Sequence, residues 1–183
     1  MGKDVDNNVE YYNKNADSFF TGSVNADMAE DREAFLAYVP AGGKILDAGC
    51  GSGRDMIAFR DAGFDVSGFD ASEELCRIAA EKTGIPVKQL FFEELEGEQE
   101  YDGIWACASL LHVARTDLPD VLRRLENDVV ADDQVRHQTD QRLSPSGDPV
   151  QISGAAQDQQ RREHDENDDD PVSCLFLLLS HNW

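Results

Sequence analysis

The stretch Lys44-Ile-Leu-Asp-Ala-Gly-Cys-Gly-Ser-Gly53 constrains the fold of this chain more than any other. A short buried strand runs directly into three glycines, and a helix follows over about 53–62 and stops at Gly63. Gly49, Gly51 and Gly53 sit where strand gives way to helix, so the backbone turns sharply and a ligand can approach it closely. In an open α/β sheet such a turn lies beyond the carboxyl ends of the strands, where small molecules bind. Taken alone, the glycines also admit a plain reading as a tight connection.

The surrounding segments alternate in period. Val5, Val9, Tyr12, Ala16 and Phe19 recur at steps of three and four, which predicts one amphipathic helix. A second helix is expected over about 26–39, with Met28, Phe35, Leu36 and Val39 on one face, before the turn Pro40-Ala-Gly-Gly. The next strand is expected over 64–69 with Asp70 at its end. Ser72 is a good N-cap for the helix after it, with Glu73 and Glu74 set against the helix dipole. That helix buries Leu75, Ile78 and Ala79 and stops at Gly84. Further strands are expected over 87–91 and 101–108, and a last helix over about 117–126 turns Leu118, Val121, Leu122 and Leu125 inward. Such alternation predicts an α/β fold: a mainly parallel sheet with helices on both faces.

Two acids flank the glycine turn. Asp70 lies 23 residues after Asp47, about where a carboxylate accepts hydrogen bonds from the two hydroxyls of a ribose. Asp47 ends the first strand and turns a negative group toward the same crevice. A dinucleotide would bring its pyrophosphate near these glycines, where that acid is unwelcome. A sulfonium ligand with an ammonium group and no phosphate would find it favourable. The spacing Gly-x-Gly-x-Gly also lacks the usual third glycine of a dinucleotide site, which leaves an NAD(P)-dependent oxidoreductase as the weaker alternative.

The motif ILDAGCGSGRD is similar to the first motif of Rossmann-like (class I) S-adenosylmethionine (SAM)-dependent methyltransferases, and GFDVSGFDAS resembles their second. Tyr12-Asn-Lys-Asn-Ala16-Asp-Ser-Phe19 resembles the N-terminal lid of many small-molecule members, and YDGIWACASLLHV their fourth strand and following loop. The resemblance implies a Rossmann-like three-layer sandwich that uses SAM as cofactor. It implies that Gly49 and Gly51, in the turn with Cys50 and Gly53, pack against the methionine part, and that Asp47 lies near its amino group. Asp70, with Ala71 beside it, would bind the ribose, and Tyr12 would close over the ligand. Adenine contacts are expected at the third-strand end, where Phe91, Phe92 and Glu93 are the candidates. His112 follows the fourth strand, near where acceptor and methyl meet. It is either a general base or orienting group, or a residue that merely shapes the loop. No other catalytic candidate stands out. Cys107 reads as a small strand residue rather than a nucleophile, and Arg54 and Asp55 as a helix-start pair without a catalytic task.

The resemblance ends near residue 126. From Asn127 to Pro171 no aromatic residue occurs and Gln, Asp and Arg dominate, too little apolar material to offset the entropy of ordering. The expected organisation is a SAM-binding domain over 1–126, with lid helices within 1–40, and an atypical, largely disordered tail over 127–183. The apolar VSCLFLLLS near the end fits a strand or a helix equally well. The family's fifth strand, helix and terminal hairpin find no counterpart, so the sheet is expected to be incomplete on that side, with its fourth strand an exposed apolar edge. A reading-frame change or truncation near residue 127 would account for the departure.

A net charge of −21 argues against a nucleic-acid partner, which calls for clustered Lys and Arg. No Asn-Pro-Pro-Tyr/Phe run or Pro-Cys pair suited to a nucleobase occurs, which leaves a small-molecule methyl acceptor as the expected partner. The four cysteines form no CxxC or Cys/His cluster, so neither a zinc site nor a disulfide framework is indicated. No apolar run is long enough to span a bilayer, and the start lacks a signal pattern. Gly2 does not read as a myristoylation site, because Asp6 stands where Ser or Thr is required. A reduced, cytoplasmic setting is expected.

Overall fold

The computed structural model of the chain describes residues 9–16, 18, 21, 27–97, 99–130 and 174–177. Residues 9–16 form the first helix, α1. Then follow α2 (Ala29–Leu36), β1 (Lys44–Ala48), α3 (Arg54–Asp61), β2 (Asp65–Asp70), α4 (Glu73–Thr83), β3 (Val87–Gln89), β4 (Gly103–Cys107), α5 (Leu118–Asp128) and β5 (Cys174–Leu177). Two single 3-10 turns, Phe92–Glu94 and Leu110–His112, follow β3 and β4.

The sheet order is β3-β2-β1-β4-β5. The first four strands are parallel, with Asp47 level with Gly68 on one side and Trp105 on the other. Alternate side chains along β1 and β4 point to opposite faces, and each face has its own core. Ile45 and Trp105 pack with Met56, Phe59, Ala79 and Phe35 beneath α2, α3 and α4. Leu46, Ala48, Ile104 and Ala106 pack with Val121, Leu125 and Leu95 beneath α5. The result is the expected three-layer sandwich. Direction reverses between β1 and β4, since β2 and β3 extend the sheet one way and β4 the other, and that switch point opens a crevice at the carboxyl ends.

The helix signals hold in detail. Ser72 Oγ accepts from the Leu75 N–H (3.2 Å) and caps α4, and Gly84 ends it in the left-handed conformation. Four expectations need correction. The third strand stops at Gln89, because Leu90 and Phe91 lead into a 3-10 turn instead of continuing the ladder. Helix α5 runs to Asp128, and Val129 is buried in the second core while the Val130 N–H donates to the Tyr101 carbonyl. The packed domain therefore extends past residue 126. The apolar end of the chain is a strand: β5 pairs antiparallel with β4, Ile104 opposite Leu177 and Cys107 opposite Cys174, so this edge of β4 is covered. Cys107 is also disulfide-bonded, which its spacing gave no reason to expect, while Cys50 and Cys76 are free. The expectation of disorder over 131–173 falls outside the described residues, as do Val5 and Phe19 of the lid helix.

Candidate active site

The crevice at the switch point is a cavity of about 530 Å³, within the usual range for small-molecule sites. Its lining brings together residues from the glycine turn, the ends of β2 and β4, the segment after β3 and α1. Of the residues singled out in the sequence, Tyr12, Asp47, Gly49, Cys50, Gly51, Asp70, Ala71, Phe91, Phe92, Glu93 and His112 all line it. Gly53 does not. It adopts φ +83° at the start of α3, and a Cβ there would lie 2.7 Å from Thr83 Cγ2, so this glycine lets α3 approach α4.

The glycine turn is held by its own hydrogen bonds. Gly49 and Cys50 both donate N–H to the Phe69 carbonyl (3.0 and 2.9 Å), and Gly53 donates to Cys50 (3.0 Å). The Gly51 N–H donates to Asp70 Oδ2 (2.9 Å), and Asp70 Oδ1 accepts from the Ser72 N–H (2.9 Å). A phosphate-binding loop needs such N–H groups turned toward its ligand; here four are already engaged. Gly49 also has φ +76°, and a Cβ would lie 2.4 Å from Ser109 Cβ. Ser109 donates its hydroxyl to the Ala48 carbonyl (2.7 Å), tying the end of β4 to the end of β1. Between them, Ala108 holds φ +52°, an uncommon conformation for a residue with a Cβ.

The floor carries two carboxyl groups, one of them fully buried. Asp47 is 3% exposed, and burial, then the Asp55 charge beside it, push its carboxyl well above the usual range. Asp70 is raised as well, by burial, against the opposing effect of the N–H groups it accepts from. Asp55 joins three elements: Arg32 (2.8 Å), Arg54 (2.6 Å) and Trp105 Nε1 (3.1 Å) all donate to it. Arg54 and Asp55 are thus more than the helix-start pair the sequence suggested, and both line the cavity. Burial first, then neighbouring acids, raise the Cys50 thiol strongly and the Cys76 thiol to about 11, so neither supplies a thiolate.

The walls are apolar: Phe69 and Phe92 meet edge-on (5.3 Å between centroids), with Leu90, Leu111 and Val113 nearby in the lining. The lid closes one side. Tyr12 Oη lies 3.0 Å from His112 Nε2, with the rings edge-on. Burial lowers the His112 pKa and raises that of Tyr12, whose phenol also feels Asp70. Both shifts favour the uncharged forms of the two rings, which share this hydrogen bond.

Sequence reasoning missed Ser109, Leu111 and Val113, although their place just after a switch-point strand is a usable signal. Nothing local marks Asp55, because its partners come from distant segments. Among the described residues no cluster of His, Cys, Asp and Glu is arranged to hold a metal, and no helix is long and apolar enough to cross a membrane.

The pattern that defines a family described as "Methyltransferase domain" matches residues 20–167. The chain is similar to an uncharacterized methyltransferase of Staphylococcus carnosus, at 25% identity over 121 residues, covering 62% of this chain and 58% of that protein. It is also similar to an S-adenosyl-L-methionine-dependent Diels-Alderase of Talaromyces variabilis, at 33% over 95 residues, covering 46% of this chain and 32% of that one. The chain thus spans between a third and three-fifths of the length of these curated relatives. Among solved structures, it resembles the magnesium protoporphyrin IX methyltransferase of Synechocystis with bound SAM (TM-score 0.58, 19% identity, 70% of this chain and 73% of that one). At that identity the likeness speaks for the fold.

Proposed function

The chain belongs to the methyltransferase-domain family, and from that premise we propose that it transfers the methyl group of SAM to a small-molecule acceptor held beside His112. The observation that carries this reading is the buried Asp47 and the part-buried Asp70 at a glycine turn in which four N–H groups are already bonded. Such a site repels phosphates and suits a cation. When bound, SAM supplies a methyl group carried on a positively charged sulfur.

The residues divide the work. Gly49 and Gly51 leave room for the methionine portion, with Cys50 a compact neighbour, and Asp47 faces its ammonium group. Asp70 retains lone pairs beyond its two backbone hydrogen bonds and receives the ribose hydroxyls beside Ala71. Phe91, Phe92 and Glu93, with Leu90, border the adenine. Tyr12 covers the ligand from the lid. The apolar walls exclude water, and methyl transfer then depends chiefly on alignment of the attacking atom with the methyl carbon. His112, whose pKa burial lowers, orients the acceptor or takes its proton. The acidic surface favours a small acceptor over a polyanion.

Incubation with methyl-labelled SAM and a panel of small amines, phenols and carboxylates tests the proposal. Label transfer with S-adenosylhomocysteine (SAH) release is expected for one acceptor class, and a chain that binds SAH but transfers no label to any of them contradicts it. A second reading, SAM binding without net methyl transfer, draws support from the similarity to a SAM-dependent Diels-Alderase. In that case SAM is recovered unchanged.

A further inference from the structure

Among the described residues, α1 meets the rest of the domain at the Tyr12–His112 contact and at a second place. At the other, Asn13 Oδ1 accepts from Ser72 Oγ (2.7 Å) and from the Glu74 N–H (3.2 Å). Ala16, on the same face of α1, is buried against Leu75 and Ile78 of α4. Ser72 is 1% exposed and works in three directions. Its hydroxyl donates to Asn13, its Oγ accepts from the Leu75 N–H, and its own N–H donates to Asp70 Oδ1. An unbroken line of hydrogen bonds therefore runs from the lid through Ser72 to the acid beside the glycine turn.

We propose that Asn13 is a positioning residue that couples lid closure to the acid at the ribose position. By capping α4 from outside, it holds Ser72 in one rotamer and, through the Ser72 N–H, fixes the Asp70 carboxylate toward the cavity. This inference rests on the reading of the cavity as a SAM site. Both first-turn N–H groups of α4 at Glu74 and Leu75 then have side-chain acceptors, one from the lid and one from Ser72. Linkage makes the coupling reciprocal: whatever fixes Asp70 from the cavity side also tightens the lid.

The test uses the full chain with Asn13→Ala and Asn13→Asp, the latter keeping an acceptor at the same position. SAH binding is measured by calorimetry and its release by stopped-flow fluorescence. Asn13→Ala is expected to weaken SAH binding roughly three- to tenfold, the worth of one or two hydrogen bonds, chiefly through faster release. Asn13→Asp is expected to retain most of the affinity. In an Asp70→Asn background the Asn13→Ala effect is expected to shrink below about twofold, because coupled residues are not additive. An equal loss in both backgrounds, or unchanged affinity in Asn13→Ala while the unaltered chain binds SAH, overturns the inference alone. Failure of the unaltered chain to bind SAH overturns the SAM reading and this inference with it.

Discussion

Asp47 and Asp70 set the chemistry of the cavity through a conflict between burial and charge. Both titrate above the ordinary carboxylate value of about 4 because burial disfavours their ionised forms. Their contribution to the stability of the ligand-free protein is complete below that value and is lost as pH rises through the raised pKa values. A cationic ligand reverses the preference and draws the carboxyl back to its ionised form. SAH affinity is therefore expected to rise with pH across this window, with proton release visible as a buffer-dependent heat in calorimetry; proton uptake would contradict the assignment. Asp47→Asn is expected to weaken SAH roughly 10- to 100-fold, the worth of a charge-assisted contact, while raising the melting temperature of the ligand-free chain. Gly49→Ala places a Cβ against Ser109 at positive φ and is expected to cost roughly 1–3 kcal/mol in denaturant titration and to abolish SAH binding. Both acids and this glycine were legible in the sequence, since a strand end and its spacing fix where they stand. Gly53 makes room for α4, a role its spacing does not reveal, because spacing alone does not say whether a missing Cβ serves a ligand or a neighbouring helix.

At the scale of elements, β1, β2 and β4 bring Asp47, Asp70 and Cys107 to the same rim, and the helices pack against the sheet that holds them there. The rings of Phe35, Phe59 and Trp105 lie 5.3 to 5.5 Å apart between α2, α3 and β4, and all three are fully buried. Phe35→Ala is expected to cost about 3–5 kcal/mol, the usual loss for a buried aromatic, read as a shift in denaturant midpoint. A shift equivalent to less than about 1 kcal/mol would mean that α2 is not part of the core. Caps and stops were the most readable elements: Ser72 and Gly84 bound α4 because their conformational preferences are local. The third strand was overextended because Leu90, Phe91 and Phe92 read as an apolar run, yet they bend away to border the cavity. The Asp55 bonds to Arg32 and Trp105 bridge 23 and 50 residues, and no local pattern encodes them.

At the scale of the molecule, the composition break after residue 126 does not mark the end of the packed chain. Val129 belongs to the core, and β5 returns to pair with β4. A parallel sheet with one antiparallel edge strand is common, and here that strand covers Gly103–Cys107. A chain ending at Val130 would leave the edge of β4 open. It is expected to self-associate more strongly by light scattering than the full chain, and equal behaviour of the two would mean that β5 protects nothing. The match to the methyltransferase family over residues 20–167 ends before β5 and spans the four parallel strands with the switch-point cavity at their carboxyl ends.

A cavity floored by Asp47 and Asp70, with four N–H groups of its glycine turn already engaged, is expected to accept a sulfonium nucleoside and to refuse a dinucleotide. Isothermal titration of the folded full chain tests it most directly, with SAM, SAH and NAD as parallel ligands. Saturable binding of SAM and SAH, with no heat from NAD, is the predicted result. Binding of NAD, or no heat from either adenosyl ligand, would contradict it.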